Sequence, residues 1–250
     1  MKLFIYYILF FLLLGGLGMA IANRRVGKKM RQQRWLKYFT YIGISGAVVI
    51  SIIYGVFYWL AWVLVAAMLI ELARANSREP VSMRMTMASS VIFLLFLTGF
   101  IFFAETFKPP FLLFVYFQVL VFDGFSQVTG QLFGRRFLAP MISPGKTVEG
   151  LAGGLLFCIV AALLGTSWLQ PKQHALLFSM ASGIFTAFFS FGGDMLASYY
   201  KRTAGIKDYS KWLPGQGGFL DRFDSFLLTG AAYYLFSRII FKSIFHEFNI

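Results

Sequence analysis

Between Ser198 and Ser225 the chain reads SYYKRTAGIKDYSKWLPGQGGFLDRFDS, a run that sets five Lys/Arg, three Asp and five Gly/Pro into an otherwise apolar sequence. Charge and glycine between apolar segments are expensive unless the site uses them. The ingredients suit a phosphorylated ligand with a metal. Lys201, Arg202, Lys207 and Arg222 offer cations for phosphate, and Asp208, Asp221 and Asp224 offer hard oxygen ligands. Gly215, Gly217 and Gly218 lie in a polar loop, where positive φ lets successive N–H groups turn inward as an anion nest; the bland alternative is a surface turn. Asp221 and Asp224 are three residues apart and share one face of a helix.

The remaining aspartates repeat the theme. Asp123 closes the apolar run FVYFQVLVFD and Asp194 closes AFFSFGGD, with Ser198 one turn further on. The four acids Asp123, Asp194, Asp221 and Asp224 are expected to converge at one end of a helix bundle, because acids at a membrane edge face polar cavities. The competing structural reading pairs them with Lys201, Arg202 and Arg222 as glue between helices. Two carboxylates, phosphate oxygens and water make a normal Mg²⁺ site. Residues 123–150 read DGFSQVTGQLFGRRFLAPMISPGKTVEG. Ser143-Pro144 ahead of Thr147 and Glu149 reads as a helix entry, with Lys146 near its positive end where amides hold phosphate; otherwise Lys146 is a topogenic loop charge. Lys146-Thr147 is no Walker A loop, since position 140 is Pro rather than Gly. Gln127, Thr129 and Gln131 line the same cavity or bond between helices.

The elements that must position these groups are membrane helices. The chain is 58% hydrophobic and 19% aromatic over 250 residues, more apolar surface than a soluble domain of that length hides. About eight spans of the required roughly 17–25 residues are predicted near residues 3–22, 38–54, 57–73, 87–104, 110–125, 149–168, 175–192 and 224–242, with the long run from Tyr38 to Ile70 divided near Gly55. The expected fold is an all-α, polytopic transmembrane bundle with a polar cavity facing the cytoplasm. The first segment lacks a cleavage site and is not read as a signal peptide. Gly15, Gly16 and Gly18, and Gly150 and Gly154, are expected to pack helices closely.

The net charge of +13 is not a nucleic-acid signal. Of the 23 Lys/Arg, 18 fall in segments 24–37, 74–84, 135–146 and 201–222, which eight spans place on one side. The positive-inside rule makes that side cytoplasmic, and the run 24–37 meets anionic headgroups. No nucleic-acid recognition motif accompanies the charge. The one cysteine, Cys158, excludes an internal disulfide and a cysteine-based zinc site and reads as a small apolar filler. His174 and His246 fall on the opposite side. Chemistry therefore rests on carboxylates, cations and metal.

The two charged blocks resemble the signature of phosphatidate cytidylyltransferases, the CDP-diacylglycerol synthases. That pattern carries Ser, Lys-Arg, Lys-Asp, Leu-Pro-Gly-His-Gly-Gly and Asp-Arg-x-Asp. Here Ser198, Lys201-Arg202, Lys207-Asp208, Leu213-Pro214-Gly215, Gly217-Gly218, Asp221-Arg222 and Asp224 fall in register. Asp123, Leu132-Phe133-Gly134-Arg135, Leu138-Ala139-Pro140, Ser143-Pro144-Gly145-Lys146-Thr147 and Glu149-Gly150 match its upstream element. Two places depart: Gln216 stands where the family carries His, and Gly124, Phe125, Ser126 and Gln127 replace Ser/Thr, Gly, Ala, Tyr. A neutral Gln can position a ligand but cannot transfer protons.

The resemblance covers about residues 123–225. It implies a membrane enzyme joining CTP and phosphatidic acid into CDP-diacylglycerol and pyrophosphate, with Mg²⁺ alone or with a second cation. It also implies a catalytic region over 111–250, with residues 1–110 contributing spans without a motif. Asp194 and Asp221 are the implied metal ligands, with Asp224 and Asp123 next. Lys201, Arg202, Lys207, Arg222 and Lys146 would clamp phosphates, beside Asp208, Ser198, Gly215 and Gln216, while Gly217 and Gly218 offer backbone donors. A homodimer is compatible with the family and is not written in the residues. The alternatives are transfer to a different lipid phosphate, a non-catalytic paralogue, and a transporter, although the inverted repeats expected of the last are not found.

Overall fold

The computed structural model describes residues 2–24, 26–77, 82–169 and 175–239. His174, His246 and the end of the eighth expected span lie outside them. Apolar segments of this length must satisfy their backbone groups internally, which in lipid means helices. Among the described residues eight form: α1 (Lys2–Asn23), α2 (Lys28–Ile53), α3 (Phe57–Asn76), α4 (Met83–Thr106), α5 (Pro109–Phe133), α6 (Val148–Leu169), α7 (Ala175–Thr203) and α8 (Leu220–Ile239). Seven of them, α1 to α7, are long and apolar enough to cross a membrane. The eighth, α8, carries Asp221, Arg222 and Asp224 in its opening turns.

The expected division at Gly55 is where α2 ends. Gly55 takes φ +70°, and the Val56 N–H turns back to the Ser51 carbonyl at 2.9 Å. Only a residue without Cβ adopts that backbone cheaply. Three helices outrun their predicted spans by two turns or more. α2 begins at Lys28, so much of the basic run is helical. α5 continues to Phe133, so Asp123 lies within a helix instead of closing one. α7 continues to Thr203 and carries Asp194, Ser198, Lys201 and Arg202 on one continuous rod.

Residues 143–147 correct the sequence reading. Ser143–Thr147 is a strand, β2, paired antiparallel with β1 (Phe137–Ala139), and the helix starts at Val148. Pro144 lacks an N–H and pushes Ser143 toward extended backbone, which delays the helix. The cap is Thr147, whose hydroxyl oxygen accepts the Gly150 N–H at 3.1 Å, a normal N-cap bond. Lys146 thus projects from a strand just ahead of a helix.

Close packing of small residues brings the helices together, as expected where lipid supplies no hydrophobic drive. A Cβ on Gly150 would meet the Ser126 carbonyl at 2.7 Å, and one on Gly154 the Ser126 side chain at 2.8 Å, which fixes α6 against α5. Gly16 and Gly18 pack against Tyr38 and Val128, whereas Gly15 has nothing within 4 Å. That last finding overturns the packing role expected for Gly15: it faces open space. Phe57, Phe100, Phe103, Phe111, Phe114, Phe117 and Phe226 are fully buried, so one aromatic core ties α3, α4, α5 and α8. Cys158 is buried as expected, its thiol directed at the Gly183 carbonyl at 3.3 Å.

Candidate active site

A cavity of about 510 Å³ opens at one end of the bundle. Asp123, Asp194, Asp221 and Asp224 all line it, together with Lys146, Lys201, Arg222 and Gln216. The convergence expected of the four acids is therefore present. The rest of the lining is largely apolar, with Ile8, Leu12, Ile42, Val49 and Leu120 supplied by α1, α2 and α5. One chamber joins a charged end to an oily arm.

Two ion pairs organise the charged end. Lys146 from β2 binds the Asp194 carboxylate Oδ2 on α7, and its ammonium sits 4.8 Å from the Phe191 ring centre. Ser198 donates to the other Asp194 oxygen at 3.1 Å. Lys201 Nζ lies 2.6 Å from Asp221 Oδ1, with the Asp221 side chain 2% exposed. Asp221 Oδ2 accepts the Tyr209 N–H and the Gly218 N–H, each at 2.8 Å. Asp221 is thus saturated by protein donors, and a metal there would compete with Lys201 and two amides. Asp123 Oδ1 accepts the Ser225 hydroxyl at 3.2 Å, linking α5 to α8. Asp224 is buried in the cavity wall, and its Oδ1 accepts the Ser225 N–H at 2.8 Å. Burial, and then the charges of Asp224 and Asp221, push the Tyr209 phenol far above its usual range. It stays protonated and donates to the Ala197 carbonyl at 3.3 Å.

Other sequence-predicted residues stand outside the cavity wall. Arg202 Nε donates to the Ile142 carbonyl at 3.1 Å, so it ties α7 to the hairpin turn. Lys207 and Asp208 are exposed on the α7–α8 connection. Gly215 and Gly217 do take positive φ, +71° and +87°. The Gly218 N–H, expected as an anion donor, is committed to Asp221.

Gln216 is buried, and its amide donates to the Lys37 carbonyl on α2. Gln216→Leu keeps the volume and removes that bond, while the Lys37 carbonyl keeps the N–H of its own helix. The expected cost is about 0.5–1.5 kcal/mol of stability, read as a lower melting temperature in detergent. An unchanged melting temperature would show that the bond to α2 contributes nothing.

Glu71 escaped the sequence reading. It is fully buried on α3, and its carboxylate accepts the Phe219 N–H at 3.0 Å, the Leu220 N–H at 2.8 Å and the Ser210 hydroxyl at 2.5 Å. A lone acid inside the apolar run WVLVAAMLIELA was the available signal, since membrane acids are rare. Lys37, Tyr38, Tyr41 and Ser45 of α2 also line the cavity, and nothing in their spacing announces it.

Fold and cavity define a polytopic helical membrane protein with a carboxylate- and lysine-lined pocket at one end of its bundle. The chain belongs to the cytidylyltransferase family, whose sequence profile matches residues 2–240. It is 42% identical over 124 residues to phosphatidate cytidylyltransferase 4, chloroplastic, of Arabidopsis thaliana, covering 50% of this chain and 31% of that protein. It is 37% identical over 133 residues to a phosphatidate cytidylyltransferase of Staphylococcus epidermidis, 52% of this chain and 51% of the relative. An uncharacterized Escherichia coli protein, YnbB, is 40% identical over 109 residues, 44% and 36% of the two chains. The chain therefore spans about half or less of the length of these curated relatives.

Proposed function

We propose that the chain transfers a cytidylyl group from CTP to phosphatidic acid, giving CDP-diacylglycerol and pyrophosphate. The observation that carries this reading is the single chamber with lysines and carboxylates at one end and an apolar arm at the other. A water-soluble polyanion and an amphiphilic phosphate meet in such a chamber. A lipid phosphate oxygen attacks the α-phosphorus of CTP, the bond to the β-phosphate oxygen breaks, and pyrophosphate leaves with the electron pair. The nucleophile is already anionic, so positioning and electrostatics supply most of the rate. No general base is required.

Lys146, Lys201 and Arg222 face the chamber and neutralise the phosphates. The apolar arm receives the acyl chains. Among the described residues no three His, Cys, Asp or Glu side chains form a ready-made metal cage. Mg²⁺ does not need one, since it binds through one or two carboxylates plus substrate phosphates. The cavity offers an all-oxygen donor set that fits, with Asp194, Asp224 and Asp123 as the carboxylates to hold it, because Asp221 already has three partners. Bound there, Mg²⁺ neutralises charge developing on the phosphates. The basic segments support an orientation with this end toward the cytoplasm, in a cell-membrane protein.

A second reading keeps the chemistry and changes the acceptor. Gly124, Phe125, Ser126 and Gln127, which depart from the family pattern, all line the chamber. A different lipid phosphate is then the preferred substrate.

The test is turnover of labelled CTP by detergent-purified protein with Mg²⁺ and phosphatidic acid. The expected result is metal-dependent CDP-diacylglycerol. Product only with another lipid phosphate would select the second reading, and no product with any lipid phosphate would refute both.

A further inference from the structure

Every helix begins with backbone N–H groups that no residue of its own can satisfy. At the edge of a membrane that shortage is costly. The start of α8 is the one the chamber depends on, since Asp221, Arg222 and Asp224 ride on its first turns. Its cap residue is Phe219, whose carbonyl accepts the Phe223 N–H at 2.9 Å. Phe219 offers no polar side chain for capping. The acceptor comes instead from α3, almost 150 residues earlier in the chain: Glu71 takes the N–H groups of Phe219 and Leu220, one on each carboxylate oxygen, and the Ser210 hydroxyl as well. Asp221 reaches back to the Gly218 N–H. Two carboxylates thus hold three consecutive amides, those of Gly218, Phe219 and Leu220.

We infer that Glu71 is a positioning residue for the chamber: it caps α8 from a different helix and sets where the acids of α8 stand. The inference rests on the reading under Proposed function. Glu71 is fully buried, and no Lys or Arg among the described residues pairs with it. Its charge is held by N–H and O–H donors alone, beside the positive end of α8, where a helix favours an anion. This arrangement also accounts for a glycine. A Cβ at Gly218 would run into the Glu71 carboxylate, while its backbone lies outside the positive-φ region that demands glycine. Gly218 is small because Glu71 occupies the space.

Glu71→Gln retains one acceptor oxygen and turns an NH₂ group toward the Leu220 N–H. Asp224, one of the carboxylates proposed to hold Mg²⁺, follows the two amides that Glu71 caps by about one helical turn, so loosening that turn is expected to cost about 10–100-fold in metal affinity or activity, as loss of an outer partner does. Three measurements on full-length protein in detergent test the assignment. Amide exchange at 218–221 is expected to rise in Glu71→Gln while α5 and α6 keep their protection. The Mg²⁺ concentration for half-maximal turnover is expected to rise about tenfold or more, a shift that loss of folded protein alone does not produce. Gly218→Ala is expected to lower the melting temperature in the native background and to add little in Glu71→Ala, because the clash is gone.

Unchanged exchange at 218–221, or additive effects of Gly218→Ala and Glu71→Ala, would overturn the assignment. So would raised exchange with an unaltered Mg²⁺ requirement, which leaves Glu71 as a structural cap only. If the native protein makes no CDP-lipid, the proposed function falls, and exchange with the melting-temperature cycle decides the contact by itself.

Discussion

Asp194→Asn is expected to lower cytidylyl transfer by about 10²–10³-fold, the range for loss of one preorganised charge at a reacting centre, with little change in melting temperature. The side chain is 34% exposed within the chamber, the most open end of the Lys146–Asp194 pair. Asn keeps an oxygen for the Ser198 hydroxyl, so the local bond survives while the charge goes. An ion pair this open to water contributes on the order of 0–1 kcal/mol to stability. Under the proposed function, charge at this point would matter instead for holding a cation against substrate phosphates. Turnover at saturating CTP, with melting temperature measured on the same preparation, separates the two effects. Full activity in the variant would remove Asp194 from the metal set.

Asp221→Ala is expected to fail differently, losing about 3–5 kcal/mol of stability along with activity, because removing one partner of a buried pair leaves the other charge uncompensated. Asp221 and Lys201 are 2% and 11% exposed. The Gly218 and Tyr209 amides would also lose their acceptor. Pairing Asp221→Ala with Lys201→Met removes the stranded ammonium. The double variant is expected to regain much of the melting temperature and none of the turnover. A single Asp221→Ala protein as stable as the native one would show that these contacts do not hold the loop.

The contrast between Asp194 and Asp221 could not be read from spacing. Both are implied metal ligands by resemblance, and both line the chamber. What separates them is tertiary: Asp221 faces a loop that folds back over it, whereas Asp194 faces open volume. Arg202 and Lys201 are adjacent in a basic pair, yet Lys201 turns into the chamber while Arg202 secures the turn carrying Ile142. Neighbours on a helix point about 100° apart, and sequence alone does not say which of them faces inward. The spans and the charged clusters were legible because hydropathy and charge are properties of composition. The hairpin at 137–147 was not, because Pro144 and Thr147 suit a helix start and a strand end equally well. Glu71 was missed for a third reason: its partners are backbone amides, which leave no trace in the pattern of side chains.

The contacts that close the chamber join residues made far apart in time. Gln216 bonds α2 across 179 positions, Glu71 meets Leu220 across 149, and Ser225 reaches Asp123 across 102. Synthesis delivers α8 after the seven helices described before it. Until then Glu71 and Asp123 are already committed to their own helices without the donors that later satisfy them. These seven helices must therefore carry unmatched acids through their insertion, and α8 is what makes them tolerable. Truncation ahead of α8 leaves an assembly problem as well as an inactive protein, and quality control in the membrane has a simple signal to read.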